Sequence, residues 1–366
     1  MSHSEVCVDW KQLKLFTREI FIKAGMTPED AEIVADVLVW ANLRGTDSHG
    51  VLRIPWYVEM MDAGQINPKP DVRILKDTAA ILSIDADRAF GPVVTTFAMD
   101  RVMEKARQVG IGWCLIGNLT HQGAMAYYSL MAAKEDMAGI AIVCSPPNMA
   151  PYGATARGLH NSPISIAVPA RKHRPLILDM ATSVAAGGKL NLAIDKGVSI
   201  PEGWAMDKDG KPTTDPNLAH ILIPAGGPKG SGLAMMFECL TSIMAGNPLV
   251  EPVLLGTGLM PKTGKDLKSA HSRIRGRRHN QNSVVAAINI GMFTDVEDYK
   301  KHIDTLIDCL KGLPKAEGVD EIFVPGELED NCYDERMENG VPVPDGTIRN
   351  LRPVAKRFGV ELPPGL

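Results

Sequence analysis

The sequence predicts a mixed α/β fold of the α+β kind, built on a mixed or largely antiparallel sheet. Three observations carry this. Helical and strand-like segments alternate along the chain. Several strands are separated by short turns, as between "PISIAVPA" and "PLILDMA". No G-x-G-x-x-G follows a strand, so the Rossmann fingerprint is missing.

The elements follow in order. Val8 to Ala24 carries Trp10, Leu13, Phe16, Ile20 and Phe21 at helical spacing. Thr27 stands as N-cap, Pro28 at the first helical position and Asp30 where a capping-box acid belongs. This second helix runs through "AEIVADVLVWANL" and stops before Gly45. A third helical pattern covers His49 to Ala63, with Pro55 forcing a late start or a kink. From Val72 the texture changes: "VRILKD" and "AAILSIDA" read as strands, "VVTTFAMDRVMEKARQVG" as a helix closed by Gly110, and "IGWCLIGN" as a buried strand. "YYSLMAAKEDM" is helical, and "GIAIVCS" joins the two strands quoted above. The glycine-rich "GGPKGSG" runs into a helix expected to bury Leu233, Phe237, Leu240 and Met244. Strand "SVVAAINIGMF", helix "VEDYKKHIDTLIDCLKGL", an irregular tail and a helix near Arg349 to Phe358 complete the chain. The expected division is a sheet domain over residues 76–294 and a helical domain from 1–75 with 295–366.

The totals exclude several classes. The 366 residues are 45% apolar and 22% charged, as in a soluble globular protein. A net charge of −4 and a pI of about 6.2 leave no basic field for nucleic acid or an anionic membrane. The one basic run, "RIRGRRHN" from Arg273, reads as a solvated loop. Six cysteines stand far apart at 7, 114, 144, 239, 309 and 332, which predicts reduced thiols in a cytoplasmic protein. "AGIAIVCSPP" is too short to span a bilayer, "GLAMMFECLTSIMAG" carries Glu238, and "MSHSEVCVDW" lacks the regions of a signal peptide.

Three stretches carry candidate chemistry. "RGTDSHGVLRIPWY" sets His49, Arg53 and Tyr57 four residues apart, on one face if the segment is helical. Arginine grips a carboxylate with two parallel donors, and histidine exchanges a proton with a hydroxyl or carbonyl oxygen. Together they suit a small substrate with a carboxylate beside a reacting C–O group. A capped helix start with a surface arginine is the plainer account. "GNLTHQGAMAYY" puts His121 between a strand and a helix, where sites tend to be built, though a loop histidine bonding backbone fits as well. In "AGGPKGSG", glycines ahead of a helix would let backbone N–H groups approach an anion beside Lys229, although no P-loop can be fitted. Zinc held by His49, His121, Asp179 and Cys144 is the rival, as in a zinc-dependent hydrolase, but no ligand spacing supports it. An anion-binding protein without catalysis is a weaker one.

Together "RGTDSHGVLRIPWY", "PYGATARGLHNSPISIAVP", "LDMATSVAAGGK", "IPEGWAMDKDGKPTTDP", "GGPKGSGLAMMFECL" and "VPGELE" resemble the type 2 malate/L-lactate dehydrogenases, in order over nearly the whole chain. The resemblance implies a non-Rossmann NAD- or NADP-binding domain around a largely antiparallel sheet. It implies a homodimer with its site near the subunit interface, and a small 2-hydroxy or 2-oxo carboxylate as substrate. It makes His121 and His49, with Ser48, the acid/base candidates and Arg53 the carboxylate holder, with Tyr57 on the substrate side. Lys229 falls near substrate and nicotinamide, while Ser145, Asp179, Met180, Ala181, Gly326 and Glu327 match cofactor positions. Similarity to the ureidoglycolate branch, in "IPAGGPKG" and "THQGAMAYY", favours His121 over His49. The chain departs at "HNSP", where the family often has Gly-Thr-Asn before the proline, and at Ser231, where a tyrosine is common. Lys189 stands where reductases of cyclic imino acids resemble one another in carrying an acid, which leaves imine reduction as the runner-up.

Overall fold

The computed structural model describes residues 6–250 and 281–366, so the basic run at 273–280 lies outside the described residues. Strand β1 (Val6–Val8) leads into α1 (Trp10–Lys23), whose N-cap Asp9 accepts from the N–H groups of Lys11 and Gln12. Helix α2 (Pro28–Leu43) starts as its caps predict, with the Asp30 N–H on Thr27 Oγ1 at 3.2 Å. The third helix starts late. Two 3₁₀ turns, 47–49 and 51–53, precede α3 (Ile54–Asp62), and Pro55 sits in its first turn, where a missing N–H costs nothing.

Next come β2 (Arg73–Asp77), β3 (Ile81–Asp85), α4 (Gly91–Val109), β4 (Ile111–Leu119), α5 (Ala126–Lys134), β5 (Met137–Cys144), β6 (Ile164–Val168) and β7 (Leu176–Met180). Helix α6 (Gly187–Lys196), three short strands β8 (Ala205–Met206), β9 (Pro212–Thr213) and β10 (Ile221–Leu222), and α7 (Pro228–Glu238) follow. Past the undescribed residues come β11 (Gln281–Asn289), α8 (Val296–Lys311), α9 (Glu327–Asn339), β12 (Val341–Val343) and α10 (Asp345–Phe358).

The main sheet has seven strands in the order β2-β3-β4-β11-β5-β6-β7. Only β3 and β4 run parallel; every other neighbouring pair is antiparallel. The largely antiparallel α+β expectation therefore holds. Helices α4 and α5 cover one face, burying Leu82, Ile84, Val102, Ile116, Tyr128 and Val285 between them and the strands. A second apolar cluster joins both ends of the chain, packing Phe16, Phe21, Leu38 and Tyr57 against Ile348 and Leu351. β1 pairs with β12 in that layer, a pairing that no periodicity announced.

Two expectations need correction. Of the four apolar residues expected to be buried in and just after α7, only Phe237 is; Leu233, Leu240 and Met244 are 44%, 38% and 50% exposed. Leu233, Met235 and Met236 of α7 lie exposed beside the buried Ala234 and Phe237. Helix α8 lies beside the turn between β6 and β7, where Asp304 accepts from the N–H groups of Arg171, Lys172 and His173. Helix α9 occupies what read as an irregular tail.

Candidate active site

The loop after α2 is shaped by one buried amide. Asn42 Oδ1 accepts the Val51 N–H at 2.8 Å, and its Nδ2 donates to Asp47 at 2.6 Å. Gly50 has to be glycine there, because a Cβ would lie 2.2 Å from Asn42 Oδ1. Arg336, from α9, clamps Asp47 with two bonds at 2.7 and 3.0 Å. Residues 46–53 are thereby fixed from both ends of the sequence.

This frame brings the predicted residues together, though not by the predicted helical face. His49 lies in a 3₁₀ turn and Gly50 is extended, so the spacing of four is not what aligns them. Instead the His49 and His121 rings stack, 5.4 Å between centroids and 11° between planes. Ser48 Oγ meets His49 Nδ1 at 3.0 Å. Arg53 donates from Nε to the Ser48 carbonyl at 2.7 Å and lies over the Trp56 ring. Tyr57 O–H reaches His121 Nδ1 at 2.6 Å, and Trp56 packs edge-on against the same imidazole. Burial, then the neighbouring Arg53, pushes His49 down to about 3, so its ring is neutral at pH 7. Burial raises the Tyr57 phenol well above its usual range despite Arg53, and the tyrosine has no exposed surface.

Asp179, in β7, accepts the Ala126 N–H at 2.8 Å, where a carboxylate meets the positive end of α5 five residues beyond His121. The protein massed around it pushes the carboxyl up to about 6, against that N–H bond. Its side chain remains open to water, which tempers the rise. Met180 is half-exposed beside it and Ala181 follows. Ser145 is buried at the end of β5. Gly326 and Glu327 stand across the sheet edge: the Gly326 carbonyl accepts from Arg44, and Glu327 pairs with Lys311.

The glycine loop has a different role from the one its composition suggests. Gly226 and Gly227 have φ of +58° and +59°, and a Cβ on Gly230 would strike the Thr182 carbonyl at 2.3 Å. The N–H groups of Lys229, Gly230 and Ser231 are already bonded to the carbonyls of Gly226, Ala225 and Gly227. Backbone donors are therefore spent, and what the loop offers an anion is the exposed Lys229 ammonium. Beside it lies an apolar cleft of about 380 Å³, lined by Tyr152, Val184, Ile223 and Gly227. Thr182 Oγ1, next to Ala181, is buried without a hydrogen-bond partner. An apolar cleft with a cation at the adjoining loop, and an unsatisfied hydroxyl on Thr182, whose carbonyl accepts the Ala225 N–H of that loop, fit a nicotinamide cofactor.

The two departures are structurally absorbed. Asn161 of "HNSP" exchanges bonds with Asn148 and reaches Ser183, and Ser231 Oγ accepts the Tyr152 N–H. Sequence reading missed Asn42, Trp56 and Arg336; Asn42 and Trp56 lay inside quoted stretches, Arg336 in none. A further contact comes from α6, where Gly188 packs so closely on Ser48 that a Cβ would sit 2.3 Å from it. Among the described residues no group of three or more His, Cys, Asp or Glu side chains could hold a metal, and Cys144 faces Ser162 with its thiol pushed up to about 12 by burial. No helix of the described residues is long and apolar enough to cross a membrane.

Known proteins resemble this chain over most of its length. The family model described as malate/L-lactate dehydrogenase matches residues 8–352. The L-sulfolactate dehydrogenase of Methanocaldococcus jannaschii is 38% identical over 94% of this chain and 95% of its own. Its solved structure superposes with a TM-score of 0.83 over 97% and 98% of the two chains. The ureidoglycolate dehydrogenase (NAD(+)) of Escherichia coli O157:H7 is 32% identical over 90% of each. The solved delta1-piperideine-2-carboxylate reductase of Pseudomonas syringae gives a TM-score of 0.79 at 25% identity, over 95% of this chain and 99% of its own. The chain thus belongs to the malate/L-lactate dehydrogenase family.

Proposed function

We propose that the protein moves hydride reversibly between the nicotinamide of NAD or NADP and C2 of a small 2-hydroxy or 2-oxo carboxylate of the malate, lactate, sulfolactate or ureidoglycolate kind. The observation that carries this is the cluster of one fixed cation, Arg53, with two stacked imidazoles, His49 and His121, in a chain of this family. When bound, the cofactor supplies or takes the hydride.

Arg53 spends Nε on Ser48, which leaves its terminal nitrogens for a two-point grip on the substrate carboxylate. That grip fixes C2 relative to the imidazoles. His121 takes the hydroxyl proton as the substrate is oxidised and returns it in reduction, while His49 stays neutral and packs against it. Lys229 lends positive charge to the substrate oxygen. Asp179, Met180 and Ala181, with Ser145, Gly326 and Glu327, border the cofactor, and the Thr182 hydroxyl stands ready to bond it.

Exposed Leu233, Met235 and Met236 on α7, Leu240 just after it, and Ile166, Leu178 and Met180 on the sheet face opposite α5 favour a homodimer, since a monomer rarely leaves so much apolar surface in water. Six free cysteines favour a reducing compartment such as the cytoplasm. The reading is tested by loss of nicotinamide absorbance with 2-oxo acids and cyclic imines, using NADH and NADPH in parallel. Turnover of one 2-oxo acid supports it and names substrate and cofactor together. Turnover of imines alone would transfer the protein to the imine-reductase reading, and no cofactor binding at all would overturn both.

A further inference from the structure

The phenol of Tyr57 lies where a substrate-binding group is expected, yet the residue has no exposed surface and its oxygen is 2.6 Å from His121 Nδ1. The same nitrogen lies 3.3 Å from the Gly123 N–H, which can only donate. A neutral imidazole has one donor and one acceptor nitrogen, and the partner of one fixes the state of the other. With a backbone donor on Nδ1, that nitrogen is the acceptor, and the Tyr57 hydroxyl must donate to it too.

We infer that Tyr57 is a positioning residue: it locks His121 in the tautomer with its proton on Nε2, and does not itself touch substrate. The inference rests on the dehydrogenase reading for its consequence, but the tautomer belongs to the free protein. Nε2–H donates a hydrogen bond to a carbonyl oxygen, so the resting site is set to receive a 2-oxo acid. The acid that gives up the Nε2 proton in reduction is the doubly protonated ring, and the base that takes the hydroxyl proton in oxidation is the minor form with Nε2 bare and Nδ1–H donating to the Tyr57 oxygen. The surroundings support a fixed ring. His49 stacks on one face, Trp56 abuts an edge, and Phe21 and Phe90 pack on Tyr57. Among the described residues, the charged or titratable groups facing the pair include Arg53, the neutral His49 and the buried, protonated Tyr128. Burial keeps the phenol protonated and therefore a donor.

The test is nitrogen-15 NMR of the ring nitrogens of His121 in the free protein, assigned by comparison with His121→Gln. The expected result is a protonated Nε2 and a bare Nδ1 near neutral pH in the unmutated protein. A proton on Nδ1 would overturn the inference, with no variant needed. Tyr57→Phe keeps the ring that packs on Phe21 and Phe90, and should turn the spectrum into a mixture of tautomers. An unchanged spectrum in this variant would assign the lock to Gly123 alone and also overturn the role of Tyr57. With an identified substrate, Tyr57→Phe should lower kcat about tenfold and leave KM within about twofold, part of what acid–base help contributes. A large rise in KM with kcat intact would instead make Tyr57 a substrate contact. If no substrate turns over, the functional reading fails while the NMR result still decides the tautomer.

Discussion

The two halves of the site are built differently. Around Arg53, His49, His121 and Tyr57, side chains hold side chains: each ring or guanidinium has a named partner, and the Asn42–Asp47–Arg336 bonds brace the loop from outside. Around Thr182 and the glycine loop, backbone holds backbone: three N–H groups close on three carbonyls, the lysine points outward and a buried hydroxyl lacks a partner. The first half is assembled in the free protein. The second presents a shape with polar capacity still to be used. Chemistry that depends on a fraction of an ångström belongs to the first, and adaptable cofactor recognition to the second.

This contrast breaks first at His121. His121→Ala should lower kcat by about 10²–10⁴-fold, the usual weight of a general acid/base, with a far smaller change in cofactor KM. Steady-state kinetics with each ligand varied in turn would check it. An equal loss in cofactor binding would mean that the two halves are not separate.

Next in size is Arg53. A charged hydrogen bond to a carboxylate contributes about 1.5–3 kcal/mol, so Arg53→Ala should raise the KM for substrate about 10- to 100-fold while kcat changes less. Arg53→Lys should recover little of it, because an ammonium cannot copy a two-point grip. Good recovery in the lysine variant would reduce the role of Arg53 to bulk charge.

How far the sequence foretold each half follows from the same contrast. The first was legible because Ser48, His49, Arg53 and Tyr57 sit in one short motif whose side chains announce their chemistry. Its geometry was not legible: Gly50 breaks the helical spacing, and Tyr57 meets His121 across 64 residues. The glycine loop misled, since composition shows that N–H groups can point outward but not whether nearby carbonyls have taken them. The caps of α2 and the closing Gly110 of α4 are local and were readable. The outward side of α7 was not, because periodicity gives an apolar face without saying what it faces.

Thr182 sharpens the second half. Leaving a buried hydroxyl unbonded costs about 1–3 kcal/mol, so Thr182→Val, equal in shape, should stabilise the free protein by about 1 kcal/mol in urea unfolding. If the hydroxyl serves the cofactor, the same change should raise the KM for NAD or NADP severalfold. Stabilisation without a cofactor effect would remove Thr182 from the site and keep it as a structural defect.

The smallest effect is a pH dependence confined to the first half. In an unfolded chain His49 takes a proton near pH 6.5, whereas in the fold it refuses one until about 3. Between those values the unfolded state binds the extra proton, so the cost is absent above pH 6.5 and grows as pH falls towards 3. At pH 5 the full shift would amount to about 2 kcal/mol, and the partly open ring reduces this to about 1 kcal/mol. His49→Gln cannot titrate and keeps an amide for Ser48. Its stability relative to the unmutated protein should therefore improve by about 1 kcal/mol between pH 7 and pH 5, read from urea midpoints at both. A constant difference across that range would mean that the stack with His121 tolerates a charged ring, and the neutral partner assigned to His49 would have to be abandoned.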